Sequence, residues 1–169
     1  MPIFRPTGWR RIALLLLLAV VPPALGSCAL PRRPAAPKNE IVALERRMFD
    51  LVNEHRVRMG LPRLEYDPLV SEIARSHSRG MARGDVRFGH RGFHARARAV
   101  RVFRRSEWIS ENVAFNLFER GPSPGTAVKG LLGSAKHRRN MEGVYHYTGV
   151  GVARSDSTGA YYYTQLFVR

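Results

Sequence analysis

The sequence predicts an α+β fold, a three-layer α-β-α sandwich in which helices cover both faces of a small antiparallel sheet. Three observations lead there. Apolar residues recur at helical spacing in two early segments, Ile41 to Val52 and Leu69 to Met81. The C-terminal end holds two β-rich runs around a polar turn, as in a hairpin. Both faces of the last run are apolar, so each side of that sheet needs cover.

The elements follow in order. Asn39 is a candidate N-cap for a first helix carrying Ile41, Leu44, Met48, Leu51 and Val52, which Gly60 and Pro62 end. Asp67-Pro68 pairs a capping residue with proline at the first helical position. Leu69, Ile73, His77 and Met81 form the expected buried stripe of that second helix, and Gly84 closes it. Residues 84–93 read as a loop. A basic stretch, HARARAVRVFRR, follows, with Ala99, Val100 and Phe103 as its inner face. Trp108 to Phe115 reads as a turn leading into a short strand, and GPSPG at 121–125 as a loop. Thr126 caps a further helix running to about His137. Gly149 to Ala153 and Tyr161 to Val168 form the hairpin around SDSTG. In its second strand Tyr161, Tyr163 and Phe167 share one face, and Tyr162, Leu166 and Val168 share the other.

The N-terminal end is of another kind. Arg5, Arg10 and Arg11 precede an unbroken apolar run, Ile12 to Val21, which Pro22 and Pro23 break. Ten residues are about half of the ~20 that a membrane-spanning helix needs. The pattern is that of an export signal. Leu25-Gly26-Ser27-Cys28 resembles the bacterial lipobox. That resemblance implies removal of residues 1–27 and lipidation of Cys28, the chain's single cysteine. Residues 28–38 then read as the lipidated cysteine with a proline-rich tether, and 39–169 as one domain, long enough for its own core. With one cysteine no internal disulfide can form.

Charge narrows the partners. The chain has 28 Lys+Arg against 13 Asp+Glu, a net +15, and removing the three leader arginines leaves +12. Such a field attracts anions. Nucleic acid satisfies that on charge alone, but export argues against it and favours anionic lipid or polymer of the cell envelope. Arg96, Arg98, Arg101, Arg104 and Arg105 read as a positive stripe facing such a partner. A solvated helix face is the plain alternative.

Four titratable side chains fall at suggestive places. His77 lies on an apolar stripe, where a satisfied core histidine is the ordinary explanation. Glu111 opens ENVAF, where a charge needs a partner such as arginine. His137 ends a helix, where capping suffices. His90 sits in the loop FGHRG. Their spacing matches no local metal motif.

Order adds what spacing lacks. LVNEHR before GLP, then ARSHSRGMARGDVRFGH, SENVAF, AVKGLLGSAKHRRNM and YHYTGVGVARSDSTGAYYYTQLFV resemble, in sequence, the CAP (SCP-like) family of cysteine-rich secretory, antigen 5 and pathogenesis-related proteins, and its disulfide-free bacterial branch in particular. The resemblance implies the α-β-α sandwich and a cleft joining His77, Glu111 and His137, with His90 as a secondary member. It also implies room for a divalent cation, for which two imidazoles and a carboxylate suit zinc. The chain departs from the pattern. The family's second cleft glutamate has no match, since Asp85 and Glu107 are poorly placed. Ser110 replaces a glycine, and Leu131 stands where tryptophan is usual.

Two functions remain. One is an envelope-anchored, extracytoplasmic binding module for a lipid or anionic envelope molecule. The other is a peptidase-like hydrolase using a metal-bound water. Ser76, Ser78 and Ser134 lie near the histidines, but no nucleophile, base and orienting group stand in line, so the sequence does not establish an enzyme. Nothing in it fixes the oligomeric state.

Overall fold

A computed structural model of the chain describes residues 38–117 and 123–169. The expected leader, Cys28 and nearly all of the tether lie outside the described residues, as do Gly121 and Pro122 of the expected loop.

The element order is α1 (Lys38–Arg58), β1 (Glu65–Tyr66), α2 (Pro68–Arg83), α3 (Phe93–Arg104), β2 (Ile109–Asn116), α4 (Pro124–Gly133), α5 (Ala135–Glu142), β3 (Tyr147–Arg154) and β4 (Tyr161–Val168). The strands form one sheet in the order β1-β3-β4-β2. The hairpin and the ENVAF strand pair antiparallel, with Glu111 opposite Leu166 and Phe115 opposite Tyr162. The expected purely antiparallel sheet becomes a mixed one, because β1 adds two residues parallel to β3. Asn53 holds that approach by exchanging two hydrogen bonds with the Leu64 backbone, at 2.8 and 3.1 Å.

Helices cover both faces. Tyr161, Tyr163 and Phe167 face α1, α4 and α5, within a core that includes Met48, Val52, Leu131 and Met141. Leu166 and Val168 face α2 and α3, against Val70, Ala74 and Val100. The face assignment read from alternation in β4 therefore holds.

Helix α2 lies directly on β3. A Cβ at Gly149 would come within 2.3 Å of the Ser71 backbone, and one at Gly151 within 2.0 Å of Arg75 N. This close seat corrects the expected stripe of α2. Leu69 is 58% exposed, while Val70, Ala74, Ser78 and Met81 are buried along with His77. Only small side chains fit against a glycine track, so the buried face turns toward the smaller residues.

Other boundaries shift as well. Asn39 lies inside α1 and does not cap it. Ser123, not Thr126, caps α4, its hydroxyl accepting from Thr126 N. The single helix expected to reach His137 is two, because Ser134 adopts extended φ/ψ between α4 and α5. In α3 the inner face is Ala97 and Val100, whereas Ala99 and Phe103 are exposed.

Two arginines, Arg56 buried and Arg75 partly so, tie the layers. Arg56 of α1 donates to the carbonyls of Pro62, Met141 and Gly143 at 2.8, 2.7 and 2.9 Å, closing α1 onto the end of α5. Arg75 of α2 grips the buried carboxylate of Glu45 through two 2.7 Å bonds. Glu45 also accepts from Val152 N at 3.0 Å, so the pair clasps the part of β3 that β1 leaves uncovered.

Candidate functional site

Glu111 points from β2 toward the α2–α3 layer, and its carboxylate is 2% exposed. Three elements converge on it. Arg96 of α3 donates Nε–H to Oε2 at 2.7 Å and Nη2–H to Oε1 at 2.8 Å. The loop between α2 and α3 brings His90, whose Nδ1–H donates to Oε1 at 2.9 Å. His77, on α2, donates Nε2–H to Gly89 O at 2.8 Å in that same loop. Burial pushes the His77 imidazole below its ordinary range, against the raising effect of its bond to Gly89. The Arg96 charge lowers it further, and Glu111 and His90 also reach it electrostatically.

Helix α5 supplies the fourth member. It lies along β2, an outer strand, where unpaired backbone needs cover. Asn140 donates to Glu111 O at 3.2 Å and to Asn112 Oδ1 at 2.9 Å, and Asn112 donates to His137 O at 3.0 Å. This lattice sets the His137 ring 6.2 Å from that of His90, centroid to centroid. Burial, then the neighbouring His90 and Lys136, hold His137 below its usual range. The expected residues His77, His90, Glu111 and His137 thus gather in one region.

His77, His90 and Glu111 open onto two hollows, neither of which His137 lines. One, between α2 and α3, is lined by His77, Arg96, Ile73 and Val86, among others. The other is lined by His90, Phe93, Ile109, Ser110, Glu111, Lys136 and Asn140. Ser110 Oγ is buried there with no hydrogen-bond partner among the described residues. Of the serines near the histidines, Ser78 bonds Gly151 O and Thr164, Ser76 is exposed, and Ser134 separates α4 from α5.

The expected arginine stripe does not form a continuous free face. Arg96 is 12% exposed and bound to Glu111. Arg104 pairs with Asp67, the N-cap of α2, and its guanidinium stacks 3.9 Å over the Tyr147 ring. Arg101 lies 3.6 Å from Glu107. Arg98 and Arg105 remain exposed, Arg105 closing α3 with a positive φ. The physical reason is helical phase: Arg96, Val100 and Arg104 stand at i, i+4 and i+8, and Val100 is fully buried, so both arginines flank the core. That phase was readable in the sequence. Asn112 and Asn140, which position the site, carried no comparable signal.

Zinc, which the resemblance implied, does not fit this donor set. The carboxylate is taken by a guanidinium through two hydrogen bonds. Among the described residues no three His, Cys, Asp or Glu side chains come close enough together to hold a metal ion.

A family model described as the cysteine-rich secretory protein family, CAP, matches residues 49–167. The chain belongs to the CAP family. An uncharacterized membrane protein of Bacillus subtilis, YlbC, is 33% identical over 129 residues, 74% of this chain. The chain spans 34% of that relative's length. Among solved structures, an extracellular SCP-domain protein of Bacillus anthracis is 26% identical over 79% of this chain and 44% of its own, with a TM-score of 0.61. An outer surface protein of Borrelia burgdorferi, at 15% identity, shows the shared fold alone, covering 81% of this chain and 98% of its own with a TM-score of 0.61. In this CAP domain the expected cleft residues lie together, and an arginine has entered among them.

Proposed function

We propose that this CAP domain is an extracytoplasmic binding module that takes an anionic envelope ligand, a lipid headgroup or acidic polymer, at the hollow beside Glu111. The observation that carries the reading is the state of that carboxylate. Arg96 matches its charge through two bonds, so the hollow's remaining charged side chain, Lys136, faces no opposing carboxylate from the site itself. The unpaired Ser110 hydroxyl offers a hydrogen bond in the same hollow. Arg91 and Arg98 stand exposed on the neighbouring loop and helix. The lipobox-like leader supports placement on the outer side of a membrane, as do the membrane and extracellular descriptions of two relatives.

The test is flotation with vesicles, using the chain with Cys28→Ser so that no acyl anchor contributes. Vesicles rich in phosphatidylglycerol should bind it and phosphatidylcholine vesicles should not, with binding lost at high salt. Lys136→Glu should weaken binding about tenfold or more, since one basic side chain near such a surface contributes about 1 kcal/mol and reversal counts it twice. An acidic cell-wall polymer is the second probe. Binding of Lys136→Glu to both probes as tight as that of the wild type refutes the assignment of this hollow.

A further inference from the structure

We infer that the end of the sandwich carrying Phe88, Phe115 and Tyr162 docks on the bilayer surface, its rings entering the boundary between headgroups and acyl chains. The membrane placement is taken from the reading above; the ligand of the hollow beside Glu111 plays no part. The rings form one cluster outside both cores. Phe88, in the loop between α2 and α3, meets Phe115 edge-on with centroids 4.9 Å apart. Phe115 in turn stacks on Tyr162 at 6.1 Å. Phe88 and Phe115 are each 48% exposed, and Leu117, just past β2, is 70% exposed. Contiguous apolar surface of this kind marks an interaction site. Rings held half in water suit a boundary that is apolar on one side and wet on the other.

Two observations say what covers the rings. The first is where the domain begins. The Tyr161 hydroxyl donates to Glu40, in the first turn of α1, at 2.6 Å. Tyr161 stands opposite Asn116, and its neighbour Tyr162 opposite Phe115. The start of α1 and the ring cluster therefore share one end of the sheet, on its two faces. Cys28 lies ten residues before Lys38, a reach of at most about 36 Å. An acyl anchor on Cys28 would thus keep this end of the sheet near the bilayer. The second observation is charge. Arg87, beside Phe88, and Lys38, at the start of α1, are exposed and pair with no carboxylate among the described residues. Arg83, Asp85, Arg154 and Asp156 line the next hollow and balance in sign. Unmatched cations around an apolar patch fit an anionic leaflet. A second copy of the chain would set the same cations face to face.

The experiment keeps the expected point of attachment. The chain from residue 28 on retains both buried clusters, which lie between Leu44 and Val168, and has Trp108 as its single tryptophan. Its Cys28 thiol is coupled to a maleimide lipid in phosphatidylglycerol vesicles whose acyl chains carry bromine, a quencher of nearby indole. A second form carries Phe115→Trp and Trp108→Phe. The indole introduced at position 115 should lose emission to the bromines and shift to shorter wavelength. Trp108, at the other end of β2 and about 25 Å away along it, should do neither. Phe88→Ser in the second form should restore much of the lost emission. Val102→Ser, which removes an apolar side chain 83% exposed on α3, should not. Coupling makes these readings independent of affinity at the hollow, so Lys136→Glu should leave them unchanged even where it abolishes ligand binding. Equal quenching of the two indoles, quenching of neither, or deeper quenching of Trp108 overturns the inference. So does sedimentation of the Cys28→Ser chain as a dimer that Phe88→Ser makes monomeric, which gives the rings to a second copy.

Discussion

Gly151→Ala tests the seat of α2 on the sheet. The added methyl would lie 2.0 Å from Arg75 N and 2.3 Å from Ala74 C and Arg75 Cα. All three atoms are backbone, so no side chain can swing aside. Ordinary contact begins near 3.4 Å, so helix and strand must part by about 1.4 Å. Val70 and Ala74, both fully buried, would then stand off from Leu166 and Val168. A gap of about 0.5–1 Å already forfeits a quarter to a half of a dispersion contact. Overpacking of this kind costs about 1–3 kcal/mol, and with only backbone to yield we expect the upper end, about 3 kcal/mol. The assay is urea unfolding followed by far-UV circular dichroism. Gly130→Ala is the internal control: that glycine lies within α4 with open space at its Cβ, and alanine there should stabilise by about 0.5–1 kcal/mol. A Gly151→Ala loss below about 1 kcal/mol, or one matched by Gly130→Ala, refutes the close seat.

Two further outcomes follow. Glu45→Gln should destabilise by about 3 kcal/mol, since it strands the largely buried Arg75; Glu45→Leu with Arg75→Met should recover most of that, and an unaltered urea midpoint for Glu45→Gln would contradict the clasp. Stability should also fall with acidity between about pH 6.5 and the depressed native pKa of His77, because the unfolded imidazole takes up a proton near pH 6.5 while the native one, desolvated by burial and facing Arg96 and His90, resists it against the opposing pull of Gly89 O and Glu111. The contribution is complete above about pH 6.5 and is lost as pH drops, with a slope of at most about 1.4 kcal/mol per pH unit for one group; the difference between urea midpoints at about pH 7.5 and 5.5 should shrink in His77→Gln, the depressed His137 supplying part of what remains, and an undiminished difference there excludes His77 as a source.

What was legible in the sequence follows from how local each cause is. The faces of β4 were legible because alternation is a property of the strand alone. The seat of α2 was less so. Leu69 and Ile73 are the larger apolar residues and suggest the buried stripe, yet what decides burial is the pair of glycines on β3, far along the chain. The break between α4 and α5 likewise depends on one serine in extended conformation, among residues whose spacing permits a continuous helix. The site divides in the same way. Order along the chain was enough to bring His77, His90, Glu111 and His137 together, because each is carried by an element whose place the fold sets. What fills the space between them was not legible from residue types, because a basic run presents identical residues to different fates. Arg98 and Arg105 face solvent, Arg104 holds the cap of α2, and Arg96 answers the buried charge that ENVAF required. Helical phase about Val100 separates them. Arg56, Arg75, Arg96 and Arg104 thus act inward, as structural cations, in a protein with no disulfide to hold its layers together.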